Sequence, residues 1–263
     1  MIAGPLLACQ AILVRDLRAV LRSRSQLYSS LLLPLMLLAV LGVGISEGLE
    51  PSSSSIRDGD YTSFLVAGLI AMTALFSSTF SSASYYQDRD SGQLRAMMAS
   101  PHPQQIILLG KSLAGVAIGS LQAIALLAIA SVIPGIELEW QHGVVPGIGL
   151  AVLAVLLLAF ILNGFAQLVA SRIRTMQGFH LVMNLLLFPL LFLSGAFFPL
   201  ADLPGWLKVF ATVNPISYAV DLLQIAAYAD GDGHFGIVID LIVLGILTPT
   251  VFALGIGAKH PIE

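Results

Sequence analysis

Three short motifs carry residue types that could do chemistry, and each lacks a partner that the chemistry requires. Gly110-Lys111-Ser112 ends like a phosphate-binding loop, but Gln105 stands where that loop needs glycine, within a helical pattern. Ser194 could act as a nucleophile only beside a base, and His180 lies far away at the start of the same predicted span. Residues 230–234, Asp-Gly-Asp-Gly-His, lack the spaced ligands of a calcium site. The sequence therefore predicts neither a catalytic residue nor a metal site.

The composition of the chain is that of an integral membrane protein. The chain has 263 residues, of which 57% are hydrophobic and 10% are charged, and its mean hydropathy is +0.92. Soluble domains carry about 25% charged residues, so this chain has too few charges to cover a soluble surface. Twelve Lys and Arg residues against 15 Asp and Glu residues exclude a nucleic-acid-binding protein. The single cysteine, Cys9, excludes a disulfide framework and a cysteine-based zinc site.

Six stretches are long and apolar enough to cross a bilayer, which takes about 20 residues in a helix. We expect one transmembrane domain over residues 1–263, without a separate soluble domain. The predicted spans are Gln26–Ser46, Ser63–Ser84, Ile106–Ile133, Val144–Ala170, Phe179–Phe198 and Phe235–Gly257.

The distribution of basic residues predicts how these six spans are oriented. If both termini are cytoplasmic, ten of the 12 basic residues lie on the cytoplasmic side, and the outer segments keep only Arg57 and Lys208. Cytoplasmic segments of plasma-membrane proteins carry such an excess of Lys and Arg. The ten are Arg15, Arg18, Arg22, Arg24, Arg89, Arg95, Lys111, Arg172, Arg174 and Lys259.

Residues 5–24, ahead of the first span, are typical of an amphipathic helix lying in the headgroup plane. Arg15, Arg18 and Arg22 share one face, and the opposite face carries Leu13, Leu17, Val20 and Leu21. A cytoplasmic extension of the first span is the alternative. We do not expect the segment to be a cleaved signal peptide, because the apolar run after it is long enough to span.

Two connections between spans carry further signals. In the inner loop 87–101, acidic residues precede a short helical pattern with Met97 and Met98, which suits a surface that docks a partner. A membrane-surface helix without a partner is the alternative. Residues 203–228 are too apolar for a loop and too broken for a span, and Asn214-Pro215 is a favourable helix start. They predict two short helices that dip into the outer leaflet.

The predicted spans contain no charged residue with an evident partner. Asp240 lies near the outer end of the last span, where it is expected to reach water, and Lys111 is expected to mark the inner membrane boundary. Ion-coupled transporters keep ionisable residues at depth, so the pattern argues against that class. It leaves a transporter that is driven by another subunit, or a structural membrane subunit.

Two signatures together identify a family resemblance. The first is Asp90-Ser91-Gly92-Gln93-Leu94 through Pro101, followed by Gly110-Lys111, and the second is Phe192-Leu193-Ser194-Gly195 through Asn214-Pro215. In length, six-helix order and both signatures, the chain resembles the type-2 ABC exporter permeases, which include drug-resistance, nodulation-factor and glycolipid exporters. The family often has glutamate where this chain has Asp88 or Asp90.

The resemblance implies an all-α permease subunit that pairs with a second copy or a related permease. Each permease would bind a separate ATPase subunit, which would hold ATP and Mg²⁺, and no cofactor would bind this chain. The resemblance also implies a coupling helix on the ATPase and an outer gate between spans 5 and 6. The coupling residues would be Asp88, Arg89, Asp90, Gly92, Gln93, Leu94, Arg95 and Met98, and the gate residues Phe198, Trp206, Asn214, Pro215 and Tyr218.

Polar and aromatic residues of the second and fifth spans are candidates for the substrate pathway. Small and hydroxyl residues also serve ordinary helix packing, so that alternative stays open. A pathway without buried charge suits an amphipathic drug-like compound or lipid, with a lipid-linked glycan as the alternative and an ion-coupled transporter as a weaker one. The pathway candidates are Phe76, Ser77, Phe80, Phe188, Phe192 and Ser194.

Overall fold

The structure is a bundle of α-helices throughout the part of the chain that it describes. It is a computed structural model that describes residues 3–23, 28, 31–41, 61–99, 102–133, 136, 138, 140, 143–227 and 233–258, and these residues include no β-strand. This confirms the predicted all-α class. The helices are α1 (Ala3–Arg22), α2 (Leu31–Leu41), α3 (Tyr61–Asp90), α4 (Gln93–Met98), α5 (Gln104–Ala130), α6 (Val144–Ala170), α7 (Met176–Phe192), α8 (Gly205–Val213), α9 (Pro215–Ala227) and α10 (Ile237–Gly257).

Four of the described helices, α3, α5, α6 and α10, are long and apolar enough to cross a membrane. The pair α8 and α9 makes a fifth if the two form one broken span. Helix α6 has the bounds that were predicted, and α5 and α10 begin and end within three residues of theirs. The first predicted span is represented by Tyr28 and α2, and its other residues lie outside the described part of the chain.

Helix α3 forms the centre of the bundle, and α10 forms part of its outside. Helix α3 contacts α5, α6, α7 and α9, and its Leu65, Leu69 and Tyr86 are fully buried. In α10, by contrast, the side chains of Ile242 and Ile246 are exposed on the surface of the bundle. A helix that is apolar on all sides and exposed in this way fits contact with lipid.

The two predicted boundaries that differ most from the structure lie at the ends of α3 and α7. Helix α3 continues through Asp90, beyond the predicted end at Ser84, because Tyr85 and Tyr86 are buried and extend its packed face. Helix α7 ends at Phe192 rather than Phe198, because the chain turns at Gly195, whose φ is +82°. An apolar turn packed against protein has the same hydropathy as a helix, so the sequence pattern could not separate them.

The bundle has two distinguishable ends. At one end, which we call the α4 end, the guanidinium of Arg89 donates to the carbonyl of Arg174 in the connection between α6 and α7. At the other, which we call the α8 end, the Tyr61 hydroxyl donates to the Phe197 carbonyl over 3.3 Å. Helices α3 and α7 therefore run antiparallel between the ends, as the predicted topology requires.

The two short helices predicted over residues 203–228 are α8 and α9, which meet at an angle of 91° at Asn214. The Asn214 Oδ1 atom accepts a hydrogen bond from the backbone N–H of Ile216 at 3.0 Å, and Pro215 is the first residue of α9. This confirms the predicted helix start, because an Asn cap satisfies a backbone donor that the first turn leaves unpaired.

Candidate functional site

Four charged side chains from three helices meet at the α4 end, and we call them the four-charge cluster. They are Arg15 and Asp16 of α1, Asp88 of α3 and Lys111 of α5. The Nη2 atom of Arg15 lies 2.6 Å from Asp16 Oδ1 and 2.5 Å from Asp88 Oδ2. The Nζ atom of Lys111 lies 3.3 Å from Asp16 Oδ2 and also pairs with Asp88. The cluster therefore ties α1 to α3 and α5 at the α4 end.

Lys111 lies inside the bundle near the α4 end, and its place at the membrane boundary stays a prediction. Its side chain is 2% exposed, and its ammonium also donates to Ser84 Oγ over 3.3 Å. A buried ammonium is tolerated only when it is paired and hydrogen-bonded, and here three partners surround it. The sequence analysis missed Asp16 as a partner, although an acidic residue within the basic face of α1 was a signal.

The charge of Arg15 is secured by the same contacts. Burial lowers the pKa of Arg15, but hydrogen bonds to Asp88 and Asp16 outweigh that effect and leave its pKa above the ordinary value. The guanidinium thus stays charged and balances the two carboxylates together with Lys111.

The cluster also holds α4 in place. The Nη1 atom of Arg15 donates to Gln93 Oε1 over 3.3 Å and to the Met97 sulfur over 3.6 Å. Leu94, the residue that follows Gln93, is 1% exposed in the core. Gly92, with a φ of +74°, allows the sharp turn from α3 into α4. The short helix is therefore held by the Arg15 contacts from α1 and by the burial of Leu94.

The predicted coupling residues divide into an exposed group and an anchoring group. Asp90 is 67% exposed at its side chain, and Gly92, Gln93 and Arg95 are exposed as well. Asp88 and Leu94 are buried, and Arg89 is tied to the Arg174 carbonyl and to the face of the Tyr86 ring. The side chain of Met98 lies outside the described residues. The exposed group forms a polar surface on which a partner could sit, and the anchoring group connects this surface to the bundle.

A row of aromatic side chains runs along α3 and α7, and we call it the aromatic ladder. The rings of Phe76 and Phe188 meet edge-on at 5.7 Å, Phe188 stacks on Phe192 at 6.5 Å, and Phe192 stacks on Phe197 at 5.0 Å. Phe80 continues the row toward the α4 end and contacts the His180 ring at 6.0 Å. Phe80 and Phe192 are 37% and 51% exposed, so the ladder presents an open aromatic surface.

The two serines predicted for the pathway lie away from the aromatic ladder. Ser77 is buried and faces α5, where a side chain added at Gly119 would come within 3.7 Å of its hydroxyl. Ser194 is fully buried and donates to the Leu191 carbonyl over 2.6 Å. These positions favour the helix-packing interpretation, because small residues let transmembrane helices approach closely.

Asp240 is completely buried, which corrects the expectation that it reaches water. It lies beside Asp221 of α9, whose two carboxylate oxygens accept from the backbone N–H groups of His234 and Phe235 at 2.7 and 2.9 Å. Asp221 therefore fixes the chain at the start of α10. The sequence pattern could not show that α9 covers this part of the last span.

The predicted gate residues at the α8 end have two kinds of environment. Phe198 and Trp206 are 59% and 66% exposed. Asn214 and Pro215 form the junction of α8 and α9, and the Tyr218 hydroxyl donates to the Thr212 carbonyl over 2.6 Å. Two of the five side chains are thus available to other molecules, and the other three shape the helix pair.

Comparison with known proteins identifies the family. Residues 7–228 match the ABC-2 type transporter family, a stretch that includes both the four-charge cluster and the aromatic ladder. The chain belongs to the ABC-2 type transporter family. The resemblance inferred from the two signatures is thereby confirmed, and this ABC-2 permease is a multi-pass membrane protein.

Curated relatives of the ABC-2 permease include proteins of several bacteria. It is 28% identical over 166 residues to "Probable multidrug ABC transporter permease YbhR" of Escherichia coli, which covers 63% of this chain and 44% of that protein. It is 29% identical over 191 residues to Nodulation protein J of Rhizobium leguminosarum, covering 69% and 68%. It is 26% identical over 216 residues to Nodulation protein J of Sinorhizobium fredii, covering 81% and 79%. The ABC-2 permease thus spans less than half of the Escherichia coli relative.

Proposed function

We propose that this chain is the permease subunit of an ATP-driven exporter that moves a small amphipathic compound or lipid out of the cytoplasm or inner leaflet. One observation carries the proposal: α3 joins the exposed surface around α4 to the aromatic ladder. Asp88 and the turn at Gly92 lie at one end of this helix, and Phe76 and Phe80 lie along it. A single rigid element therefore connects a docking surface to a surface suited to apolar cargo.

The power source in this proposal is a separate ATP-binding subunit, which holds ATP and Mg²⁺. Two permease chains pair, each with one ATPase. The name of the Escherichia coli relative, a probable multidrug ABC transporter permease, supports this class. The exposed coupling residues Asp90, Gly92, Gln93 and Arg95 contact the ATPase, while Asp88, Arg89 and Leu94 hold α4 on the bundle. Met98 completes the coupling segment.

The proposed topology has six spans in the plasma membrane, with both termini and the α4 end in the cytoplasm. Helix α2 belongs to the first span, α7 is the fifth, and α1 lies in the headgroup region beside the bundle. The basic residues support this orientation, because Arg15, Arg89, Arg95 and Arg174 all belong to the α4 end. Helices α8 and α9 dip into the outer leaflet, and all parts form one transmembrane domain.

In the proposed mechanism, ATP binding draws the two ATPases together and shifts each α4. A ligand moves an equilibrium only through its different affinities for two states, so the ATPases must bind α4 more tightly in one of them. Because Arg15 and Leu94 fix α4 on α1 and α3, the shift moves α1, α3 and α5 as a unit. The aromatic ladder then changes its position relative to the second permease.

The aromatic ladder is the proposed path of the substrate. Its rings offer apolar faces without fixed hydrogen-bond geometry, which suits amphipathic molecules of varied shape. At the α8 end, Phe198 and Trp206 are the exposed rings of the proposed outer gate, which Asn214, Pro215 and Tyr218 support. Ser77 and Ser194 support the helices that carry the ladder.

Inside-out vesicles from the native membrane test the proposed function. We expect ATP to drive accumulation of a fluorescent short-chain glycolipid analogue in these vesicles, and deletion of the permease gene to abolish it. Accumulation driven by a proton or sodium gradient without ATP would instead show an ion-coupled transporter and would overturn the proposal.

Asp90→Lys is expected to reduce ATP-driven accumulation by about tenfold, because reversing a charge in a docking surface sets like charges against each other. Asp202→Lys, at the α8 end, is the matched control and should transport normally. Both proteins should reach the membrane in wild-type amounts, as measured by immunoblot. Equal transport by the two variants would show that Asp90 does not face the ATPase.

Phe188→Ala is expected to raise the substrate concentration needed for half-maximal transport by about fivefold, because the change removes two ring contacts of the ladder. Leu185→Ala is the control, since Leu185 lies on the same helix and is 70% exposed without belonging to the ladder. Concentration dependence of transport in the vesicles measures both. If Phe188→Ala leaves the half-maximal concentration unchanged, the aromatic ladder is not the path of the substrate.

A further inference from the structure

An open pocket of about 530 Å³ lies between α1, α3 and α5 at the α4 end. Helices α1 and α3 both pack against α5, and the pocket fills the gap between them. Its volume is in the range of pockets that hold small molecules, about 300–1,000 Å³. The lining has a charged wall, a neutral polar rim and an apolar wall, and these three parts restrict the kind of molecule that fits.

The charged wall belongs to the four-charge cluster, and it offers no unused donor to a charged ligand. Every nitrogen of the Arg15 guanidinium donates to Asp16, Gln93, Met97 or Asp88. The Lys111 ammonium behind the wall has Asp16, Asp88 and Ser84 as its three partners. Two cations balance two anions, so the wall has no net charge. An anionic or cationic ligand would have to break an existing ion pair to form a new one.

The neutral polar rim consists of hydroxyl and amide side chains. Ser23 of α1, Ser84 and Gln87 of α3 and Gln93 of α4 line the pocket, and Gln87 and Gln93 are exposed. Hydroxyl and amide groups both donate and accept hydrogen bonds, so they match a ligand that carries several hydroxyl groups.

The apolar wall leads from the pocket to the aromatic ladder. Val20 of α1, Phe80 of α3 and Ile118 of α5 form this wall. Phe80 is also the first ring of the ladder at the α4 end. A molecule with its polar part against the rim can therefore place its apolar part along the surface that the proposed function assigns to transport.

We propose that this pocket binds an uncharged, hydroxyl-rich headgroup, such as a sugar or polyol, of an amphipathic molecule whose alkyl part extends along Phe80. The inference rests on the proposed function, because it treats the pocket as the place where substrate enters the ladder. It narrows the substrate class from any amphipath to neutral, hydroxyl-bearing ones.

Photolabelling of the full permease, extracted with its partner and placed in nanodiscs, tests the proposal. The probe is a dodecyl glucoside with a diazirine in the first part of its alkyl chain. Two comparison probes keep the chain and diazirine but carry a phosphate or a trimethylammonium headgroup. We expect the glucoside to label peptides that contain residues 15–23 or 80–88 about tenfold more than either charged probe, and excess unlabelled dodecyl glucoside to compete.

Ala19→Trp fills the pocket without changing the charged cluster, since Ala19 lines the pocket and is exposed. We expect it to lower glucoside labelling about tenfold. Ala11→Trp is the matched control, because Ala11 is an exposed residue of the same helix that does not line the pocket. If Ala19→Trp is not recovered in the membrane, Ile118→Trp fills the same space from α5.

Equal labelling by the three probes, or full labelling of both filled variants, would overturn the pocket proposal. ATP hydrolysis by the wild-type nanodisc sample is measured separately. A wild-type sample without any ATP-hydrolysing chain would overturn the proposed function, whatever the labelling shows. If the sample hydrolyses ATP but the three probes label it equally, the proposed function stands and only the headgroup site is overturned.

Discussion

Replacing Lys111 by methionine is expected to lower the free energy of unfolding by about 3 kcal/mol, because it removes one of the two cations that pair with the buried carboxylates of Asp16 and Asp88. Methionine has a similar length and keeps the apolar packing of the stem. The substitution removes the ammonium that pairs with Asp16 and Asp88, and the Lys111 side chain that carries it is only 2% exposed. We also expect transport to fall, since Asp16 of α1 and Asp88 of α3 would lose their ion pairs to α5. Thermal unfolding in detergent and vesicle transport measure the two effects.

Two further variants separate this effect from the general loss of a lysine. Lys208→Met is the matched control, because the Lys208 ammonium makes an exposed bond to the Ala201 carbonyl at the other end of the bundle. The double variant Lys111→Met with Asp88→Asn removes one cation and one anion, so it should recover part of the lost stability. If Lys111→Met and Lys208→Met unfold at the same temperature, the cluster does not stabilise the α4 end.

Gly164→Val is expected to prevent stable folding, with a loss of about 3 kcal/mol or more from overpacking. A side chain at Gly164 would lie 2.8 Å from the Cα of Phe252 in α10, and backbone cannot move aside as a flexible side chain can. Gly255 makes the reciprocal close approach from α10 to Gly164. The crossing of α6 and α10 therefore depends on these two glycines.

Gly149→Val is the matched control for this prediction. Gly149 lies on the same helix and has open space where a side chain would be added. Size-exclusion chromatography of detergent extracts should show a sharp peak for Gly149→Val and aggregated or absent protein for Gly164→Val. Two sharp peaks of wild-type height would show that α6 and α10 do not approach as closely as the structure has them.

Hydropathy and charge predicted the broad architecture because both depend on long stretches of sequence. The 27-residue run of α6 contains no charged residue, so its bounds could be assigned without knowledge of its neighbours. The start of α9 was also predictable, since Asn214 and Pro215 act within a single turn. The end of α7 was not, because Gly195 turns an apolar segment that packs against Gly68 of α3.

The candidate site was predictable only where its residues are close in sequence. The segment from Asp88 to Arg95 was recognised as a unit, but its contacts with Arg15, 73 residues before Asp88, and with Lys111 of α5 depend on how the helices pack. Individual ladder residues were selected for their aromatic rings. Their separation from Ser77 depended on how α3 is rotated in the bundle. Because α3 is buried on most sides, its sequence pattern does not reveal that rotation.

Native mass spectrometry of the gently extracted permease tests most directly whether it is driven by a separate ATPase through the α4 end. We predict a complex of two permease chains and two nucleotide-binding chains, which loses the nucleotide-binding chains when Arg95 on the exposed side of α4 is replaced by glutamate. Lys208→Glu, at the other end of the bundle, should leave that complex whole. A permease without any nucleotide-binding chain, active in liposomes without ATP, would contradict the account.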